Sequence, residues 1–219
     1  DHMSNKIQFK ITLLSDTLPA SGYVVEPIID VDIVSDKPGL PYLQGKRIKG
    51  LLRESIVEVY EMMGFKYELL NSIFGIPGDP LSKSIQVGNG YMYGHLQLEE
   101  WLHWAKHRFG GYFFPDRVKE IFTTIRSQTS LENGVAKASS LRAMRLLDKG
   151  LEFHGDIAIT GLKEMHIAVL VLGCKNMRYI GSGRNRGFGQ VEMKLLKSES
   201  AEYSAKWAIK FLEGECIHG

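Results

Sequence analysis

The sequence predicts an α+β protein with a β-α-β-β-α-β core, and three observations carry that reading. Apolar residues alternate with polar ones near both ends of the chain. Between those stretches apolar residues recur at helical spacing. Once a long middle stretch is set aside, the segments follow in the order strand, helix, strand, strand, helix, strand.

The first strand is Lys6 to Leu13, where Ile7, Phe9, Ile11 and Leu13 face one way and Gln8, Lys10 and Thr12 the other. Ser15 to Pro27 reads as a loop, and Ile28 to Ser35 alternates again, with Asp30 and Asp32 on its polar face. Asp36-Lys37-Pro38-Gly39 is a turn signature. Gly45 opens a helix whose apolar stripe is Ile48, Leu51, Leu52, Ile56, Val59 and Met63, with Gly64 just past its end. Residues 66–128 read as a mostly helical insertion. It contains a short helix ending at Gly75, a helix over Leu98 to Arg108, and one opening at Pro115 and running to about Arg126. Ser140 to Leu147 and Leu151 to Thr160 are strands joined by Asp148-Lys149-Gly150, a hairpin signal. Lys163 to Met177 is apolar enough for a buried helix, Tyr179 to Gly189 is a glycine-rich loop, and Gln190 to Leu196 is a strand. Ser200 is placed to cap a last helix through Glu213. The resulting order is the ferredoxin-like one that RNA-recognition domains also use, here in a single domain over residues 4–219. Asp1-His2-Met3 reads as a cloning remnant ahead of a native Met3.

Composition narrows the function. The chain has 219 residues, 44% hydrophobic and 24% charged, which is enough for a core. Two cysteines, Cys174 and Cys216, exclude a disulfide scaffold and a four-cysteine zinc site. The longest apolar run, Ile167 to Leu172, is too short to span a bilayer, and no basic start precedes an apolar stretch. A soluble, cytoplasmic protein without a membrane partner is therefore expected. The net charge is only +2, but its distribution is uneven. Tyr42 to Arg53 holds Lys46, Arg47, Lys49 and Arg53 without an acid, and Val171 to Gln190 holds Lys175, Arg178, Arg184 and Arg186 without an acid. Acid-free basic segments on a nearly neutral chain suit a polyanion bound to one face.

Three segments carry candidate chemistry. In Gly181-Ser-Gly-Arg-Asn-Arg-Gly-Phe-Gly189, Gly181, Gly183 and Gly187 allow positive φ and close backbone approach. Arg184 and Arg186, with Asn185 between them, supply phosphate-directed groups. The loop follows a helix and precedes a strand, the reverse of a dinucleotide fingerprint, and it lacks the lysine of a P-loop. In Leu40 to Arg53, cations crowd a helix start, where they oppose the macrodipole but extend an anion site. The polar segment Arg126 to Arg142 could reach across a nucleic-acid strand, as could any long surface loop. His103 and His107 lie four apart without the intervening glutamate of a zinc protease and read as surface histidines. Trp101, Trp104, Phe113 and Phe114 read as core.

Together, Asp36 to Arg53, Gln128 to Arg142 and Arg178 to Val191 resemble, in order and spacing, the RAMP superfamily of CRISPR proteins. The nearest likeness is to backbone (Cas-seven-like) subunits of type III effector complexes, the III-D subtype above all. Ile11 to Gly22 also resembles a capping (Cas-five-like) subunit, the alternative role. The first histidine past the start, His95, lies too late for the superfamily's CRISPR-processing ribonucleases. The resemblance implies that Lys46, Arg47, Lys49 and Arg53, together with the glycine-rich loop, hold a guide RNA. It implies that the segment bearing Gln128, Thr129, Lys137, Ser139 and Arg142 is a thumb hairpin interrupting guide–target pairing. It also implies that a loop aspartate, Asp30 with Asp32 as the alternative, cleaves target RNA in the assembled complex. A divalent metal such as Mg is expected for that step, with no protein ligand set assigned, and the expected partners are guide RNA, target RNA and other effector subunits. The RNA 2′-OH is the nucleophile such chemistry needs, and one carboxylate can take its proton or hold the metal.

Overall fold

A computed structural model describes residues 6–19, 32–64, 68–76, 78–79, 82, 85–128, 131–132, 135–136 and 142–217. The elements in chain order are β1 (Lys6–Leu13), β2 (Tyr42–Leu43), α1 (Gly45–Met63), α2 (Glu68–Phe74), β3 (Gln86–Val87), β4 (Gly90–Met92) and α3 (His95–Phe109). A 3₁₀ turn (Gly110–Tyr112) follows, then α4 (Pro115–Ile121), β5 (Thr123–Gln128), β6 (Leu131–Glu132), β7 (Val135–Ala136), β8 (Arg142–Leu147), β9 (Glu152–Ala158) and α5 (Glu164–Asn176). A second 3₁₀ turn (Arg184–Arg186) leads to β10 (Val191–Ser198), β11 (Ala201–Glu202) and α6 (Ala205–Ile217).

The main sheet is antiparallel, in the order β11-β10-β1-β9-β4-β2, with β3 also paired to β9. Strand β1 is central because its alternation is the cleanest: Ile7, Phe9, Ile11 and Leu13 are buried, and its two edges pair with β9 and β10. Opposite Phe9, β9 has Gly155, where a Cβ would come within 2.5 Å of the Phe9 ring. The glycine is what lets that ring lie flat on the sheet. Helices α1, α5 and α6 pack together on the core side, and α5 also packs on β10. Helix α5 is apolar nearly all round, from Ala168 to Cys174, because it is enclosed by these neighbours.

Pairing differs from the sequence expectation in one important respect. Asp148-Lys149-Gly150 does turn the chain, with Gly150 at φ 88°, but it does not make a hairpin of its flanking strands. Strand β8 pairs instead with β5, from Thr123↔Leu147 to Gln128↔Arg142, and the edge of β9 is taken by β4 and β3. The segment 66–128 is thus only partly helical: β3 and β4 complete the main sheet, and α4 stops at Ile121 so that β5 can form. The last helix is likewise later than expected. Ser200 lies in a turn before β11, and Ser204 accepts the Ala208 amide at 3.1 Å.

The expected strand over Ile28 to Ser35 has its first half, with Asp30, outside the described residues. In the described half only Ser35 bridges to Pro41. The turn after it is held by Asp36, whose Oδ1 accepts the amides of Gly39 at 3.1 Å and Leu40 at 2.8 Å. Asp32 is not on a solvated face: it is 1% exposed. Its Oδ2 is 3.0 Å from Lys119 Nζ on α4, its Oδ1 is 3.1 Å from Arg145 Nε on β8, and Oδ1 also accepts the Ile33 amide at 2.8 Å. Alternation suggested an outward Asp32, but two distant cations draw its carboxylate inward, where such a charge survives only when paired.

Two predictions follow from this packing. Arg145→Met removes one partner of a buried carboxylate and should lower unfolding stability by about 3 kcal/mol; an unchanged urea midpoint would contradict the assignment. The second concerns His166, which is 7% exposed. Its Nδ1 accepts the Lys163 amide at 3.2 Å, so the proton sits on Nε2, 3.3 Å from Ser72 Oγ. Burial first, and Lys163 second, hold this imidazole below its ordinary value of 6.5. The unfolded chain therefore binds the proton more readily, so stability should be full above about pH 6.5 and fall as the pH drops below it. His166→Gln should flatten that acid limb in denaturation curves taken across the range.

Candidate nucleic-acid interface

Helix α1 begins at a crowded point. A Cβ on Gly45 would meet the Val87 carbonyl oxygen at 2.1 Å, so only glycine can start the helix this close to β3. Its amide donates to Asn89 Oδ1 at 2.9 Å, which removes the first of the free amides expected to face an anion. No acid lies in the first turn. Lys46, Arg47 and Arg53 are exposed, and Lys49 is half-buried, its ammonium held below the usual range by desolvation. Helical spacing sets Lys46, Lys49 and Arg53 on one stripe and Arg47, Gly50 and Glu54 on the next.

The glycine-rich loop is a closed, ordered turn. Ile180 donates to Gly189 O at 2.8 Å and Val191 to Arg178 O at 2.9 Å, which zips its base. Ser182 donates to Leu18 O at 3.1 Å and Gly189 to Asp16 O at 2.9 Å, which ties it to the chain after β1. Gly181, Gly183, Gly187 and Gly189 all have φ between 77° and 81°. At Gly181 a Cβ would lie 2.0 Å from the Leu18 carbonyl oxygen, and at Gly189 it would lie 2.1 Å from that of Ile180. The backbone thus accounts for these glycines. Arg184, Asn185 and Arg186, on the 3₁₀ turn between Gly183 and Gly187, are exposed.

Turn and helix meet. A cavity of about 270 Å³ lies between them, with Leu43, Ile48, Leu51 and Ile180 as apolar wall and Gln44, Arg47, Glu54 and Ser182 among its polar groups. A smaller hollow of about 80 Å³ adjoins it, lined by Glu54, Glu58, Asn176, Arg178 and Arg184 among others. Leu51 and Glu54 border both. The structure therefore brings Arg47, Gly181 and Arg184 to one cleft. Lys46, Lys49 and Arg53 stand on the flanking stripe of α1, outside its lining. Arg178, Ser182, Gln44 and Glu54 are cleft residues the sequence reading did not assign. Arg178 had a signal, the acid-free run of Val171 to Gln190, but the others had none. Arg47 beside the apolar wall of the larger cavity, and Arg178 and Arg184 in the adjoining hollow, suit a strand of phosphates and sugars.

The other predicted positions divide. Strands β5 and β8 pair as a ribbon, and within the same stretch β6 pairs with β7. Gln128 and Arg142 form the last pair of that ribbon. Thr129, Lys137 and Ser139 lie outside the described residues. At the ribbon, Arg126 bonds Asp16 Oδ2 at 2.7 Å and lies 5.7 Å from the Phe188 ring centroid, linking it to the glycine-rich turn. His103 and His107 stack edge to face at 4.7 Å, and no cluster of three metal-ligating side chains occurs among the described residues. Trp101 and Trp104 are not core but 49% and 53% exposed, and Phe114 is exposed with them. Only Phe113 is half-buried, at the centre of edge contacts with Trp101, Phe109 and Tyr112.

Comparison with known proteins agrees with this architecture. Two cryo-EM structures share the fold. One, described as the apo state of Type III-B Cmr-beta, matches at TM-score 0.66 and 14% identity, covering 88% of this chain and 98% of the other. The second, Type III-B Cmr-beta bound to cognate target RNA, matches at TM-score 0.67 and 12% identity, covering 89% and 98%. No curated protein matches. No described helix is long and apolar enough to cross a membrane. The sequence profile of the RAMP superfamily matches residues 10–192, which takes in the second half of the central strand together with the helix start and the glycine-rich turn that form the cleft. This chain belongs to the RAMP superfamily.

Proposed function

We propose that this protein is a guide-RNA-binding backbone subunit of a CRISPR type III effector complex, and that in the assembled complex it cleaves target RNA through Asp30. The single observation that carries the RNA-binding reading is the cleft, with Arg47 on one rim and Arg178 and Arg184 on the other. Membership of the RAMP superfamily and the likeness to Cmr-beta chains, one of them described with target RNA, support the choice of complex. The strand order β10-β1-β9-β4, with α1 and α5 on one face, supports a ferredoxin-like core whose second strand is β4. The β5–β8 ribbon supports the thumb, and it stands beside the glycine-rich turn through Arg126.

In this reading the protein leaves base edges free for pairing and grips the backbone. Asp32, buried among cations, is placed to hold structure rather than to meet a scissile phosphate. That leaves Asp30 as the carboxylate that accepts the 2′-OH proton. A divalent ion such as Mg would neutralise charge on the phosphate, with phosphate oxygens and water completing what one carboxylate cannot. The protein acts in the cytoplasm, alongside the other effector subunits.

Two experiments test the proposal. Arg47→Ala with Arg184→Ala should weaken binding to single-stranded RNA of any sequence and lower the slope of log K against log salt by about 1.4. An unchanged slope removes the cleft from RNA binding. In the assembled complex, Asp30→Ala should abolish cut target products while guide RNA still copurifies. Undiminished cleavage rejects Asp30, and absence of any cleavage by the wild-type complex on matched RNA favours the capping role.

A further inference from the structure

A carboxylate in the middle of a phosphate cleft is out of place, and α1 puts one there. Glu54 is the charged side chain common to the 270 Å³ cavity and the 80 Å³ hollow, so it lines the first with Arg47 and the second with Arg178 and Arg184. Glu58, one turn further on, has a structural bond: Asn176 Nδ2 donates to its Oε2 at 2.9 Å. Glu54 has no such tie. Among the described residues it forms no ion pair within 4.0 Å with either rim, and its side chain is exposed to the cleft.

A group that only repelled phosphate would weaken the cleft for nothing. A carboxylate is an acceptor and nothing else, so its ligand must bring a donor. A guide strand must keep its base edges for pairing, which leaves phosphate and sugar to the protein. Phosphates are acceptors too. The one donor present on every nucleotide of RNA, and absent from DNA, is the ribose 2′-OH. The apolar wall of Leu43, Ile48, Leu51 and Ile180 beside Glu54 suits the uncharged face of a sugar.

We propose that Glu54 is the residue by which this cleft selects RNA over DNA, accepting a hydrogen bond from a ribose 2′-OH while the flanking arginines hold the adjacent phosphates. The inference rests on the RNA-binding reading above and adds to it the chemical feature that is read. It makes Glu54 a specificity residue independent of base sequence, with a double action. It rewards the 2′-OH, and it repels a strand that offers the carboxylate no donor.

The test is fluorescence-anisotropy titration of the full chain with three labelled single strands of one sequence: RNA, DNA and 2′-O-methyl RNA, which keeps the oxygen but loses the donor. Wild-type protein should bind RNA about tenfold or more tightly than either of the others. Glu54→Ala should bring that ratio close to one, RNA binding falling while DNA binding rises. Glu54→Gln keeps an acceptor oxygen without the charge and should retain part of the preference, which guards against a folding defect in the alanine variant. If Glu54→Ala shifts all three affinities by the same factor, the residue is a general electrostatic brake and the proposal is overturned. If the two arginine substitutions weaken RNA binding while Glu54→Ala keeps the wild-type ratio, the inference falls and the functional reading stands. If wild-type protein binds none of the strands, the functional reading falls and the inference goes with it.

Discussion

The cleft depends on how closely α1 lies against α5. At the crossing, a Cβ on Gly173 would come within 2.2 Å of Ile56 Cγ1, and Ser55 Oγ donates to the Gly173 carbonyl at 2.7 Å in a buried bond. Gly173 brings no side chain of its own, so the side chains of Leu52, Ser55 and Ile56 rest directly on the α5 backbone. Helix α5 ends three residues later, at Asn176, and the glycine-rich turn follows from Tyr179. The turn's position is therefore set by the crossing. Asn176 reinforces it by donating to Ser55 O at 3.1 Å and to Glu58 Oε2 at 2.9 Å. Loosening this contact would carry Arg178 and Arg184 away from the rim that bears Arg47.

From that contact the work divides between residues that shape the cleft and residues that act in it. The glycines of the turn answer to the backbone: each stands at positive φ, and Gly181 and Gly189 sit where a neighbouring carbonyl leaves no room. The side chains of Arg184 and Arg186 beside them are exposed on that closed turn. Placing charged groups on a pre-closed turn lowers the ordering cost of binding, because the backbone is already fixed. The same economy shows at the ribbon, where Asp32, Lys119 and Arg145 join α4, β8 and the chain before β2 through charges withdrawn from solvent.

Sequence patterns revealed the local part of this and missed the long-range part. Strand β1, helix α1, the Asp36 turn and the position of the glycine-rich loop were all legible because alternation, helical period and turn chemistry are properties of neighbours. The partner of β8 was not. Asp148-Lys149-Gly150 marks a turn correctly, yet which strands then pair is decided by the sheet as a whole, and β4 outcompeted β8 for the edge of β9. Asp32 looked solvated because its ionic partners are far along the chain. Trp101 and Trp104 looked like core, although the buried face of α3 is Leu102 and Ala105. Arg47 was legible as a cation at a helix start. Glu54 was not, since no sequence signal tells which face of α1 meets the turn.

The central claim is that one strand of RNA lies between the start of α1 and the glycine-rich turn. Photocross-linking of the full chain to 4-thiouridine-substituted single-stranded RNA, with the modified peptides identified by mass spectrometry, tests it most directly. The account predicts adducts in both segments, Gln44 to Glu54 and Arg178 to Arg186, each suppressed by the same unlabelled competitor RNA. Adducts confined to the exposed aromatic surface of Trp101, Trp104 and Tyr112, with both cleft segments unmodified, would contradict it.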